Sequence, residues 1–113
     1  MNVGRALLIL VGLLFLGIGY CSGQIQVSHF NSEWNSENDF DISELKECET
    51  EIITICESPE LKEKHKIMSV PTIIIFDEGI EIKRFEANIM MQLACKLKEI
   101  QKEIDKILLA KFE

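Results

Sequence analysis

The chain has 113 residues, with 12 Lys and Arg against 19 Asp and Glu and a formal net charge of −7. That length allows one small domain, and the acid excess argues against nucleic acid or anionic membrane as the main partner, because phosphate binding needs clustered cations. Hydrophobic residues make up 47% of the sequence, a share inflated by the first twenty-odd positions, which therefore have to be assigned first.

Met1 to Arg5 carry one positive charge, Ala6 to Tyr20 form a run without charge, and the small residues Cys21-Ser22-Gly23 follow. This order predicts a secretory signal over residues 1–23 with cleavage before Gln24. Fifteen residues make about 22 Å of helix, short of the ~30 Å hydrocarbon core of a bilayer. An uncleaved signal anchor is the alternative, which would tether the domain to a membrane on its lumenal or extracellular side. Gly19 and Tyr20 fit poorly with lipidation of Cys21. Either way residues 24–113 enter the secretory pathway, to be secreted or held in the endoplasmic reticulum lumen. The chain ends Ala110-Lys-Phe-Glu113 without a retrieval signal. Cleavage removes one base, Arg5, and no acid, leaving a net charge of −8. Cys48, Cys56 and Cys95 remain, an odd count that in an oxidising compartment leaves a thiol free, hidden or paired with another chain.

In the mature chain Ile25 to Phe30 is an apolar-rich strand candidate. Residues 35–41 have a loop composition, in which Asn, Asp and Ser side chains compete with a helix for backbone hydrogen bonds. A short helix is predicted from Ile42 to about Cys48, capped by Asp41 or Ser43. Glu51 to Cys56 is β-branched and nearly continuous in apolar character, which predicts a parallel strand covered on both faces. Ser58-Pro59-Glu60-Leu61 places a capping serine, a first-turn proline and an acid at the start of a helix to about Ile67. Thr72 to Phe76 is the most hydrophobic strand. Asp77-Glu78-Gly79 has the residue types of a hairpin turn, with Gly79 free to take positive φ. Ile80 to Phe85 alternates as an amphipathic edge strand whose charges guard it against pairing. From about residue 88, Met90, Leu93, Leu97, Ile100, Ile104 and Ile107 recur at spacings of three and four, the stripe of a long helix. Some 24 residues make about 36 Å of helix, longer than a small sheet can cover. Ile104, Ile107 and Leu108 are then left for a partner, either a homodimer seam or another protein, unless the tail folds back on its own domain.

Two stretches carry a resemblance to a known family. Ser69 to Glu86, with Val70-Pro71-Thr72 followed by the hairpin, is similar to the proline loop and terminal hairpin of the thioredoxin-like proteins, the thioredoxins and the domains of protein disulfide isomerases. Val27-Ser-His-Phe-Asn-Ser-Glu-Trp34 resembles the strand that runs into their Cys-x-x-Cys. The resemblance covers about residues 25–100 and implies a minimal thioredoxin-like α/β fold, a mixed four-stranded sheet flanked by helices, lacking the family's first strand and first helix. The positions matching the two cysteines are Asn35 and Asn38. An amide cannot act as the thiolate nucleophile, so no catalytic residue is assigned and disulfide exchange at this site is not expected. In the family the proline matching Pro71 is cis and leaves the backbone beside Val70 open to an extended peptide. By resemblance, Trp34, Val70, Pro71 and Thr72 then line a polypeptide-binding surface; the alternative is that Pro71 only shapes the strand entry and Trp34 only packs.

Cys48, with or without Cys56, is the remaining candidate for a divergent thiol–disulfide oxidoreductase. Cys56 is expected to be a buried structural thiol and Cys48 the more exposed one. His29 on a strand and His65 on the outer face of a Lys/Glu-rich helix have no Cys or His at ligand spacing, so neither a metal nor a cofactor is expected. The reading is a secretory-pathway thioredoxin-like protein that binds a polypeptide client or partner protein without exchanging disulfides. The alternatives are an oxidoreductase built on Cys48 or an adaptor assembled through the C-terminal helix.

Overall fold

The computed structural model describes residues 24–112, so the expected signal segment, with Cys21, lies outside the described residues. Four strands form one mixed sheet in the order β2-β1-β3-β4. β1 (Ile25–Asn31) runs parallel to β2 (Glu49–Thr54) and antiparallel to β3 (Thr72–Asp77), which pairs antiparallel with β4 (Ile80–Glu86). A 3-10 segment (Glu33–Asn38) follows β1, α1 (Pro59–Lys64) follows β2, and α2 (Leu97–Lys111) closes the described chain.

β3 is buried on both faces because it is apolar at every position from Ile73 to Phe76 and alternate side chains leave opposite sides of the pleat. Ile73 and Ile75 join Ile25, Val27, Ile100 and Ile104 under α2, whereas Ile74 joins Phe30, Ile53, Ile55, Ile67 and Val70 under α1. The β3–β4 turn has two residues with positive φ, Glu78 at 54° and Gly79 at 84°, the backbone that a two-residue hairpin requires. α1 starts as the sequence predicts, with Ser58 in the cap position and Pro59 first, although the serine hydroxyl makes no cap hydrogen bond. α2 is started by Glu99, whose carboxylate accepts from the Lys96 N–H at 3.0 Å, satisfying one of the orphan donors at the helix N-terminus.

Three expectations are corrected. No helix forms over residues 42–48: Asp41 Oδ1 accepts from both the N–H and the hydroxyl of Ser43 at 2.9 and 2.7 Å, a local turn that uses the donors a helix would need. Ile42 and Leu45 are nevertheless buried against α2. β2 is parallel, as predicted, but it is an edge strand with Ile52 63% exposed, because β1 covers only one of its sides. The C-terminal helix starts at Leu97 rather than near residue 88, since Asn88 Oδ1 accepts from the N–H groups of Met90 and Gln92 and closes a turn in which Met91 takes a positive φ.

With 15 residues the helix is about 22 Å long, shorter than the roughly 36 Å expected from the stripe. Ile104 is fully buried, and Ile107 and Leu108 pack against the same cluster, so the tail folds back on its own domain. β4 is the predicted edge, but Ile80 and Ile82 are exposed while Phe85 packs on the core.

His29 is buried within the sheet, where its Nε2 accepts from the Phe40 N–H at 3.0 Å and its Nδ1 has no hydrogen-bond partner among the described residues. Burial pushes the imidazole below its ordinary range, opposed by the Asp39 carboxylate.

Two outcomes follow from this packing. Ile104→Ala removes a core side chain and is expected to lower unfolding free energy by about 3 kcal/mol in urea titrations, whereas Leu109→Ala, on the exposed face, changes it by about 0.5 kcal/mol or less. The unfolded chain takes up the His29 proton near the ordinary value of about 6.5 while the native chain resists it. Stability is therefore complete above that pH and falls as pH drops below it, until the native imidazole is itself protonated. Urea midpoints read at about pH 7.5 and 5.5 should decline, with a smaller decline in His29→Gln.

Candidate functional site

Where β1 ends, the chain turns through the 3-10 segment and buries Asn35. Its side-chain amide faces two further loops. Asn35 Nδ2 lies 3.3 Å from the carbonyl of Val70 and 3.2 Å from that of Met91, and it also donates to Asn31 Oδ1 at 3.2 Å. Asn35 Oδ1 accepts from Asn38 Nδ2 at 2.8 Å, and Asn38 Oδ1 accepts from Gln92 Nε2 at 3.3 Å. Asn31 Nδ2 donates back to the Asn35 carbonyl and to Asp39. Two buried amides with few alternative partners thus join the 3-10 segment, the loop before β3 and the turn after β4. A buried amide left unpaired costs far more than a made hydrogen bond returns, so this network fixes the relative position of the three segments.

The Val70–Pro71 peptide is cis, and the Thr72 hydroxyl donates to the Ser69 carbonyl at 2.7 Å. Above this loop lies an open groove of about 540 Å³, lined by Trp34, Ile55, Ile67, Met68, Val70 and Met91 among others. Its rim is apolar and solvent-exposed: Trp34 is 68%, Met68 86% and Ile89 97% exposed. Isolated exposed apolar side chains are ordinary, but several around one concave site mark a contact surface. Of the four residues expected here, Trp34 and Val70 line the groove, while Pro71 and Thr72 are buried behind it and only shape its floor. Met68, Ile89 and Met91 were not foreseen. Met90 lies on a turn rather than on the predicted helical stripe, and its sequence signal is Asn88, a turn former directly ahead of Ile89-Met90-Met91.

The cysteines reverse their expected roles. Cys56 lies past the end of β2 and is exposed, whereas Cys48 and Cys95 are half-buried, and all three are free. Burial pushes the Cys48 thiol up, and the neighbouring Glu49 and Glu47 carboxylates push it further; burial and Glu99 do the same to Cys95. A reactive thiol needs the opposite environment. His65 turns inward rather than outward: its ring stands 5.5 Å from that of Phe30 and 5.2 Å from that of Phe76. Arg84, held by Glu81 at 2.8 Å, donates to the His65 carbonyl and closes that corner. Among the described residues no group of His, Cys, Asp or Glu could hold a metal ion.

The sheet ordered β2-β1-β3-β4 with its flanking helices superposes on solved structures. Thioredoxin 1 of Thermosipho africanus superposes with a TM-score of 0.59 and 22% identity over 78% of this chain and 99% of that one. The fold is thioredoxin-like. A mutant thioredoxin from Halobacterium salinarum superposes with a TM-score of 0.60 at 14% identity, covering 75% of each chain. Thioredoxin-2 of the malaria parasite gives 0.60 at 16% identity, over 74% of this chain and 82% of that one. No family model and no curated protein matches the sequence.

The thioredoxin-like frame holds an amide network between the end of β1, the loop before β3 and the turn after β4, and the four cysteines of the sequence, Cys21, Cys48, Cys56 and Cys95, form no Cys-x-x-Cys. Replacing Asn35 by Ala removes the donor to two carbonyls and is expected to lower unfolding free energy by about 1–3 kcal/mol, read by urea titration. Amide hydrogen exchange in Asn35→Ala should quicken at Met91 and Gln92, with β3 unchanged.

Proposed function

We propose that this protein is a polypeptide-binding module of the secretory pathway that holds client segments in the groove beside Trp34 and Val70 without exchanging their disulfides. The observation that carries the reading is the apolar groove whose walls at Val70 and Met91 are tied together by the buried Asn35 amide; by resemblance, that amide stands where thiol chemistry would need a thiolate. The groove volume of about 540 Å³ falls in the range of sites that enclose part of a ligand. Methionine side chains are unbranched and polarisable, so they repack around different apolar partners. The side chains of Trp34, Ile55, Ile67, Met68, Val70 and Met91 line the groove, so burial of apolar client side chains supplies much of the hold. The uncharged run Ala6 to Tyr20 followed by Cys21-Ser22-Gly23 supports passage into the secretory pathway.

No observation favours the alternatives. The Cys48 thiol is pushed up rather than down, and Ile104 is occupied within its own core. Trp34 is the only tryptophan in the chain and reports on the groove directly.

Protein recovered from a eukaryotic secretory host, with its N-terminus read by intact mass, is titrated with reduced, carboxymethylated α-lactalbumin as an unfolded probe. The expected result is a chain beginning at Gln24, a saturable shift of the Trp34 indole N–H resonance of the isotope-labelled protein with a dissociation constant on the order of micromolar, and no insulin reduction above background. Met91→Asp should weaken the complex at least about tenfold. Equal binding by that variant would remove the groove from the account, and insulin reduction would restore a thiol mechanism.

A further inference from the structure

Methionine is distributed unevenly in this protein. The chain has four, Met1, Met68, Met90 and Met91. Of the three within the described residues, Met68 and Met91 line the groove, and Met90 precedes Met91 on the Asn88 turn. They are 86%, 67% and 41% exposed in chain order, whereas the buried core is made only of Ile, Val, Leu and Phe. The turn that presents two of them is pinned, since the Met91 carbonyl accepts from Asn35 and the Met91 N–H donates to the Asn88 carbonyl at 2.9 Å. Oxidants in solvent thus meet thioethers at the groove and none in the core.

We propose that oxidation of Met68, Met90 and Met91 by a hydroperoxide is a reversible switch that closes the groove to clients. The inference rests on the polypeptide-binding reading and adds its regulation. In each step the thioether sulfur attacks the terminal oxygen of the peroxide, the S–O bond forms as the O–O bond breaks, and the remaining oxygen leaves as water or an alcohol. Sulfur is oxidised by two electrons and the peroxide is reduced by two. The product sulfoxide is polar and chiral, and a client segment covering it must strip water from an S–O dipole that the side chains of Ile55, Ile67 and Val70 cannot hydrogen-bond. Two thiol-dependent methionine sulfoxide reductases, one for each sulfoxide epimer, together reverse the change. The backbone that shapes the groove is held by amides, not by these side chains, so the fold is left intact. Redox sensitivity then resides in thioethers, in a site where Asn35 and Asn38 provide no thiol.

The experiment uses the full mature chain carrying Cys48→Ser, Cys56→Ser and Cys95→Ser, so that the only sulfur left is that of methionine. Dilute hydrogen peroxide is added, one-oxygen mass increments are counted and mapped by peptide, and binding of carboxymethylated α-lactalbumin is measured before oxidation, after it, and after treatment with both sulfoxide reductases. The expected result is three increments on Met68, Met90 and Met91, unchanged far-ultraviolet dichroism, binding weakened at least about tenfold, and recovery on reduction. The variant Met68→Leu/Met90→Leu/Met91→Leu, compared only with itself, should bind equally before and after peroxide. Full binding by the triply oxidised protein overturns the switch while leaving the polypeptide-binding reading in place. Loss of dichroism on oxidation also overturns it, because the change would then be global. Absence of binding before oxidation sinks the polypeptide-binding reading and the switch with it.

Discussion

The side-chain amide of Asn35 is the point on which the functional end of this molecule depends. It is buried, it bridges the carbonyls of Val70 and Met91, and it is itself held by Asn31 and Asn38. Hydrogen bonds of this kind add only about 1 kcal/mol each to stability, but a buried amide denied its partners costs more. The network therefore acts chiefly as a constraint on geometry. The sheet fixes where β1 and β3 end, and the amides fix how the three connecting segments meet beyond those ends. The groove is the space left between them.

The same position underlies the proposal that the groove binds without exchanging disulfides. A cysteine at Asn35 would sit at a turn with a second residue three positions on, the arrangement from which thiol–disulfide exchange is built. An amide in that place can donate and accept hydrogen bonds and has no nucleophile to offer. The three thiols that the structure describes lie elsewhere. Two of them are raised by burial and carboxylates, and the third, Cys56, is on a turn past β2 with no described cysteine bonded to it. What survives is shape: an apolar rim of Trp34, Met68 and Ile89 around a pinned backbone.

Much of the fold was legible because strong local signals agreed with it. Thr72 to Phe76 is apolar enough to be a central strand, Glu78-Gly79 can only be a turn, and Ser58-Pro59 starts α1. The errors arise where a polar side chain outcompetes a helix. Asp41 turns back on Ser43 and Asn88 on Met90 and Gln92, so residues 42–48 and 88–96 are not helical although their apolar spacing suits a helix. The spacing was informative all the same: Ile42, Leu45 and Ile104 are buried, in a core reached from loops as well as from α2. Trp34 and Val70 were found through the resemblance, whereas Met68 and Met91 were missed because only the turn at Asn88 brings residues so distant in sequence to one rim. The reversal of Cys48 and Cys56 has a similar cause, since β2 begins and ends two residues earlier than its apolar run suggests.

A nuclear magnetic resonance titration tests the account most directly, because the Trp34 indole N–H and the Asn35 side-chain amide can be followed in one spectrum as carboxymethylated α-lactalbumin is added. The account predicts that the indole resonance shifts saturably while the two Asn35 Nδ2 protons stay slow to exchange with solvent in the free and the bound protein. An unmoved indole, or an Asn35 amide that exchanges as fast as an exposed one, would contradict it.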